Sequence, residues 1–388
     1  MPATPPKLAL ILSGGGARAA YQAGVAKAIA EHVPAGSPSP FKIISGTSAG
    51  GINAAALASG ARDIHRATSM LCKVWSDLSI ADIYRVDGAH LAMTAWRLTR
   101  SMFPGASWKR PLALLDNAPL ATLLARVIHF PAIAHSIDAG ALDAFTLTAS
   151  SYQTGMSVTF CMGGPALELW ERSQRVAMRA EIGVPHLLAS SAIPFLFPPT
   201  KIDGEYFGDG AMRQVAPTAP ALHLGADRVL VVGAARTSTP PPPVASSEAP
   251  SLAQIGGHVL ASIFTDALGT DLEKVRLVNV AVRQIPFERL EESPMPLRDV
   301  AMLVLTPSVP LETLALDYRD QLPRALRMIL GRIGGTREGG EGLLSYLLFD
   351  GGFCKALIDL GYRDAQARRV ELETFLAPGQ YCELPNSY

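Results

Sequence analysis

The sequence predicts an α/β fold, a central and mostly parallel sheet flanked by helices, with a helical C-terminal extension. Three observations carry that expectation. The first fifty residues run apolar stretch, helix, apolar stretch, helix, the pattern of right-handed β–α–β crossovers. Short apolar runs recur up to residue 306, and beyond them only helical spacing is found. Hydrophobic residues make up 48% of the 388 and charged residues 18%, which suits a large buried core and excludes a disordered chain.

Lys7–Leu12 reads as a buried parallel strand, because it is short, apolar and stopped by glycines. Ala19–His32 has helix formers at apolar spacing, Phe41–Ser45 is a second strand, and Gly51–Ser59 is a second helix. Residues 62–140 read as mostly helical. Further strands are expected at Phe145–Ser150, Ser157–Met162, Arg228–Gly233 and Met302–Thr306. Thr237–Ser251 is Pro- and Ser-rich and predicts an exposed, partly polyproline loop. After Thr306 the pattern is helical to about Leu376, with a glycine-rich break at Gly331–Gly342. The expected division is one α/β unit over 7–308, containing the 237–251 loop, and the helical extension over 309–388.

Lys+Arg and Asp+Glu both total 34, so no excess of positive charge points to nucleic acid. The four cysteines are scattered, without a C-x-x-C pair, which disfavours a disulfide framework or a zinc site and fits a reducing cytoplasm. No clustered His/Asp/Glu set suggests a metal, and no cofactor is expected. The apolar run Leu8–Leu12 is too short for an export signal, and no uncharged run is long enough to span a membrane.

Two motifs carry chemistry. Ser13-Gly14-Gly15-Gly16-Ala17-Arg18 lies where the first strand turns into a helix, so backbone N–H groups can converge at a helix N-terminus. It reads as a dinucleotide loop, as an oxyanion hole or as a plain tight turn. A dinucleotide loop wants an acidic residue after the second strand, which here ends in Ser45-Gly46. Gly46-Thr47-Ser48-Ala49-Gly50 fits G-x-S-x-G between a strand and a helix, the setting of a nucleophile elbow. An α/β-hydrolase would need more strands before its serine and a histidine after its acid. His223 and His258 have no catalytic context.

Gly-Gly-Gly-x-Arg, then Gly-x-Ser-x-Gly, then Asp-Gly-Ala resembles the patatin-like phospholipases. So does Ala189-Ser190-Ser191-Ala192-Ile193-Pro194 followed by Phe197-Pro198-Pro199. The sequence departs from that family at Ala19, where glycine is usual. The resemblance implies a three-layer patatin-like fold and a serine lipid acyl hydrolase of phospholipase A, lysophospholipase or carboxylesterase type. Its substrate would be a lipid or phospholipid. Ser48 would be the nucleophile and an aspartate its base, without histidine, through an acyl-enzyme. Of Asp87, Asp209 and Asp350, each followed by glycine, Asp209 has the expected context, with Gly210 and Ala211 completing its motif. Gly14, Gly15 and Gly16 would hold the oxyanion, worth roughly 3–4 kcal/mol per donor in other enzymes. Gly46 and Gly50 would shape the elbow, and Arg18 would order the loop or meet a phosphate. A catalytically silent relative serving as a regulator or scaffold, and a nucleotide-binding protein using Gly14–Gly16, are the competing readings.

Between Trp96 and Arg110 the sequence combines Arg97, Arg100, Lys109 and Arg110 with Trp96, Phe103 and Trp108 and holds no acid. That mixture suits a peripheral contact with the inner membrane surface, against a reading in which the same residues pack on the core. Arg319–Arg332 is a second basic, apolar stretch.

Overall fold

The computed structural model describes residues 5–85, 113–235, 249–286, 289–290, 297–335 and 340–379. The region of Trp96, Arg97, Arg100, Phe103 and Trp108 lies outside them, as do Asp87 and most of the Pro-rich 237–251 stretch.

Ten strands form one sheet in the described residues: β1 (Leu8–Leu12), β2 (Ile43–Thr47), β3 (Ala144–Ser151), β4 (Ser157–Gly163), β5 (Glu171–Arg172), β6 (Arg175–Arg179), β7 (Thr200–Ile202), β8 (Glu205–Asp209), β9 (Arg228–Val232) and β10 (Ala301–Leu305). Their order is β10-β9-β1-β2-β3-β4-β6-β5, with β8 pairing β3 and β7 pairing β8. Pairing is parallel from β10 to β3 and between β4 and β6. It is antiparallel at β3–β4, β3–β8, β7–β8 and β5–β6.

The alternation along the central strands separates two faces. Leu8, Leu10, Leu12, Leu230 and Val232 pack into one core with α1 (Ala20–Ala30), α2 (Ala49–Ser59) and α3 (Ile64–Ser76). Ala9, Ile11, Val229 and Val231 pack on the other side with Ala221, Leu268 and Leu272 from helices Ala219–His223 and Ala267–Val282. The molecule is therefore a three-layer α/β sandwich. Helices beyond β10 belong to the first layer: Phe353, Leu357 and Leu360 of Gly351–Ala367 share the core of Leu10 and Tyr21. The Arg319–Arg332 stretch turns Leu322, Leu326 and Leu330 inward, with Arg327 paired to Asp320, so its apolar residues serve mainly packing.

The stretch Ala118–Asp138 is long and apolar enough to cross a membrane by length and composition. In the fold it is two helices, Ala118–Val127 and Phe130–Asp138, and Leu120, Leu124 and Ile133 are buried in the core.

Strand β2 begins two residues later than the apolar pattern predicts and runs on through Gly46 and Thr47. Both of its neighbours dictate this, since Leu12 and Leu147 pair on either side of Gly46. The sequence reading also missed β5 to β8, which are short or carry charge at alternate positions.

Helix α1 and helix Gly351–Ala367 touch backbone to backbone. A Cβ at Gly24 would stand 1.9 Å from the Ile358 carbonyl oxygen, and one at Gly361 would stand 2.1 Å from that of Tyr21. Gly24→Val is expected to force these helices apart and destabilise the protein by about 3 kcal/mol. A chemical-denaturation midpoint equal to that of the parent would refute this close contact.

Candidate active site

Strand register assembles the site. β2 ends with Thr47 opposite Thr148 of β3. β8 arrives from the other direction along the same edge and ends with Asp209 opposite Ala149. Ser48 and Asp209 are thus delivered head to head at adjacent positions of one strand. On the other side of β2, Leu12 lies opposite Gly46, and continuing that register brings Gly14 level with Ser48.

The Ser48 hydroxyl donates to Asp209 Oδ2 at 2.6 Å. Ser48 adopts φ 56°, a left-handed value that costs a non-glycine residue energy and marks the sharp turn of an elbow. It directly precedes α2, whose N-terminal dipole favours negative charge at this point. The turn admits no bulk: a Cβ at Gly46 would lie 2.5 Å from the Gly50 carbonyl oxygen, and one at Gly50 would lie 2.3 Å from that of Ser13.

Asp209 is fully buried, and burial lifts its carboxyl to about 7, against the opposing pull of hydrogen bonds from Ser48 and from the Ala211 N–H. Each carboxylate oxygen has one donor, because Oδ1 accepts from Ala211 N–H at 2.9 Å. Gly210 has to be glycine, since a Cβ there would sit 2.1 Å from the Thr148 carbonyl oxygen.

The glycine loop lies against Ser48. A Cβ at Gly14 would be 3.1 Å from Ser48 Cβ, and Gly16 has φ +55° with the Tyr346 carbonyl oxygen where a Cβ would go. A buried polar chain fixes the loop from beneath. Trp75 Nε1–H donates to Asn53 Oδ1 (2.8 Å), Asn53 Nδ2–H to Gln22 Oε1 (2.9 Å), and Gln22 Nε2–H to the Ser13 carbonyl (2.8 Å). The Arg18 guanidinium is buried, donates to Ser345 Oγ (2.8 Å), pairs with Glu312 (3.4 Å) and lies 4.0 Å from the Tyr346 ring centroid. These contacts tie the loop to the C-terminal helices. Asp350 is a helix cap, accepting from Gly352 N–H and Phe353 N–H. His223 stacks on Trp170, and His258 sits on the exposed side of helix Leu252–Ala261.

Three groups escaped the sequence reading. Ser190 Oγ accepts from Ser48 N–H at 2.9 Å and donates to the Thr148 carbonyl at 2.6 Å. Gln214 joins Thr47 Oγ1 (2.7 Å) to Thr148 Oγ1 (3.2 Å). Phe264, on a π-helical turn at Ser262–Asp266, packs over Gly14 and stacks on Tyr346. The only sequence cue was Ser190, inside the Ala189–Pro194 segment. Ser190→Ala leaves the buried Ser48 N–H without its acceptor and is expected to cost about 1–3 kcal/mol of stability. Urea unfolding checks this, and an unchanged midpoint would mean the elbow is held by other contacts. Among the described residues no group of three or more His, Cys, Asp or Glu could hold a metal ion.

No curated protein matches the chain. Three solved structures are similar at low identity. VipD from Legionella pneumophila is 12% identical, with 89% of this chain and 67% of that one covered and a TM-score of 0.30. Human GIVD cytosolic phospholipase A2 is 14% identical, with 96% and 63% covered and a TM-score of 0.35, so the chain spans less than two thirds of the human protein. A chain of the Pseudomonas aeruginosa complex of SpcU with ExoU is 15% identical, with 95% and 79% covered and a TM-score of 0.26. The family model described as patatin-like phospholipase matches residues 10–222, more than half of the sequence, from within β1 to beyond the Asp209 motif. The chain belongs to the patatin-like phospholipase family.

Proposed function

We propose that the protein is a serine lipid acyl hydrolase that cleaves acyl ester bonds through Ser48 and Asp209. The 2.6 Å hydrogen bond between Ser48 Oγ and a fully buried Asp209 is the observation that carries this reading. Asp209 takes the Ser48 proton as the oxygen attacks the ester carbonyl and returns it to the alcohol that departs as the tetrahedral intermediate collapses to an acyl-enzyme, which water, giving its proton to Asp209, then hydrolyses. An ordinary carboxylate is a weak base, and lifting its pKa to about 7 matches it to proton transfer near neutrality. Backbone N–H groups of Gly14–Gly16, near the start of α1, and the dipole of α2 stabilise the oxyanion.

The intact Ser48–Asp209 pair disfavours a catalytically silent role. The close packing of Gly14 and Gly16 against Phe264 and Tyr346 disfavours a nucleotide loop. A cytoplasmic location is proposed, consistent with free Cys72, Cys161 and Cys354. The alternative of a peripheral contact with the inner membrane surface rests on the composition of residues 96–110, which lie outside the described residues. Turnover of p-nitrophenyl esters and phospholipids by the purified protein, absent in Ser48→Ala, is the expected result. Equal turnover by Ser48→Ala would overturn the assignment.

A further inference from the structure

A cavity of about 790 Å³ begins at Ser48 and follows α2 to its far end. Ala49, Ile52, Ala56 and Ser59 form the lining face of that helix, at helical spacing. α2 is otherwise core: within it only Ile52, Ala56 and Ser59 are incompletely buried, and all three line the cavity. The one accessible face of the helix is therefore the cavity wall. Facing it are Ala67, Leu71 and Val74 of α3 and Leu120 and Leu124 of helix Ala118–Val127. The apolar lining ends at a far mouth edged by Arg62, Asp63, Arg66 and His129. Of these, Arg62, Arg66 and His129 are exposed.

Such a passage takes a single hydrocarbon chain. Its walls are mainly apolar between Ser48 and the far mouth, where water and charge end the advantage of further apolar length. The eleven residues of α2 measure roughly 16 Å at about 1.5 Å per residue. Half the ~30 Å hydrocarbon thickness of a bilayer is about 15 Å, the depth reached by one chain in one leaflet.

We propose that this cavity holds one acyl chain of leaflet length, carbonyl at Ser48 and methyl end toward Arg62 and Arg66, and that Ala56 sets the length admitted. The orientation rests on the hydrolase reading of Ser48. Ala56 stands eight residues beyond Ser48, roughly 12 Å along the helix axis, with its small side chain on the lining face. A bulky residue there closes the far part of the passage and leaves the part nearest Ser48 open.

The test measures two series with chain length, using monomeric concentrations throughout. One is kcat/KM for p-nitrophenyl esters from butanoyl to stearoyl, and the other is calorimetric affinity for the matching free fatty acids. In the parent protein both should rise up to roughly fourfold per methylene buried, then level off once the chain fills the cavity. Ala56→Phe should lower palmitoyl-ester turnover and palmitate affinity by roughly tenfold or more while leaving the butanoyl ester unchanged. Met70→Trp, at a half-exposed lining position on α3, gives a second obstruction should Ala56→Phe fail to fold. Flat series in the parent protein, or proportional losses on short and long chains in folded variants, would overturn the proposal. Chain-length-dependent fatty-acid binding without turnover of any ester would uphold the acyl site and remove the hydrolase reading. Loss of both would remove both.

Discussion

Asp209→Asn and Ser48→Ala are each expected to abolish ester hydrolysis, by roughly 10⁴-fold or more, while leaving the fold intact. In the proposed mechanism each group is useless without the other. The hydroxyl has one base, Asp209 Oδ2 at 2.6 Å, and an amide at that position cannot accept the proton. Because the two act as a unit, the double variant should be no worse than either single one. Asp350→Asn should retain activity, since Asp350 caps a helix, and so should Asp87→Asn. Initial rates on a soluble short-chain ester, with circular dichroism as the control for folding, check the set. Substantial turnover by folded Asp209→Asn would assign the base elsewhere.

The second large effect is a pH dependence with opposite signs for activity and stability. The base must be deprotonated in the free enzyme, so kcat/KM should fall about tenfold per pH unit below about 7. Stability runs the other way. The unfolded chain releases the Asp209 proton near pH 3.8, and the folded protein holds it until about 7. Between these values the native state binds more protons, so stability falls as pH rises, by about 4 kcal/mol over the whole window. That contribution is fully present below the unfolded value and lost above the folded one. Asp209→Asn removes the buried charge and should therefore melt higher than the parent at pH 8, with the difference shrinking toward pH 4. Such a gain on removing the proposed base is the stability–activity trade-off expected of a strained site. Thermal melts of both proteins across this range decide it, and a lower melting temperature for Asp209→Asn at pH 8 would contradict the buried-charge account.

Where local chemistry alone fixes a residue's place, the sequence was readable. The β1–glycine loop and the β2–Ser48–α2 turn declare themselves because strand, turn and helix are contiguous there, and Gly46 is demanded by atoms a few residues away, although Gly50 is demanded by the Leu12 and Ser13 carbonyls at the end of β1. Asp209 was separable from Asp350 by flanking sequence, although the reason it reaches Ser48 is not local. That reason is the shared edge of β3, where Thr47 and Asp209 pair with Thr148 and Ala149. The same strand explains what was missed. Ser190 and Gln214 both converge on Thr148, from segments that nothing in their own sequence ties together. β7 and β8 did carry a readable signal, the two-residue Asp203-Gly204 turn with φ 49° and 91°, as a tight hairpin requires. β6 was hidden because Arg175 and Arg179 charge it near the sheet edge, a composition that discourages further strand pairing.

The acyl-enzyme chemistry is tested most directly by covalent capture of Ser48. A fluorophosphonate reacts with a serine only when its hydroxyl is activated, and the phosphonyl oxygen takes the place of the carbonyl oxygen beside Gly14–Gly16. Incubating the parent protein, Ser48→Ala and Asp209→Asn with such a probe, then mapping the adduct by peptide mass spectrometry, reads the nucleophile and its activation together. One adduct is expected, on Ser48, in the parent protein at pH 8, none in Ser48→Ala, and labelling slowed by orders of magnitude in Asp209→Asn. Unchanged labelling of Asp209→Asn, or an adduct on another serine, would contradict that chemistry.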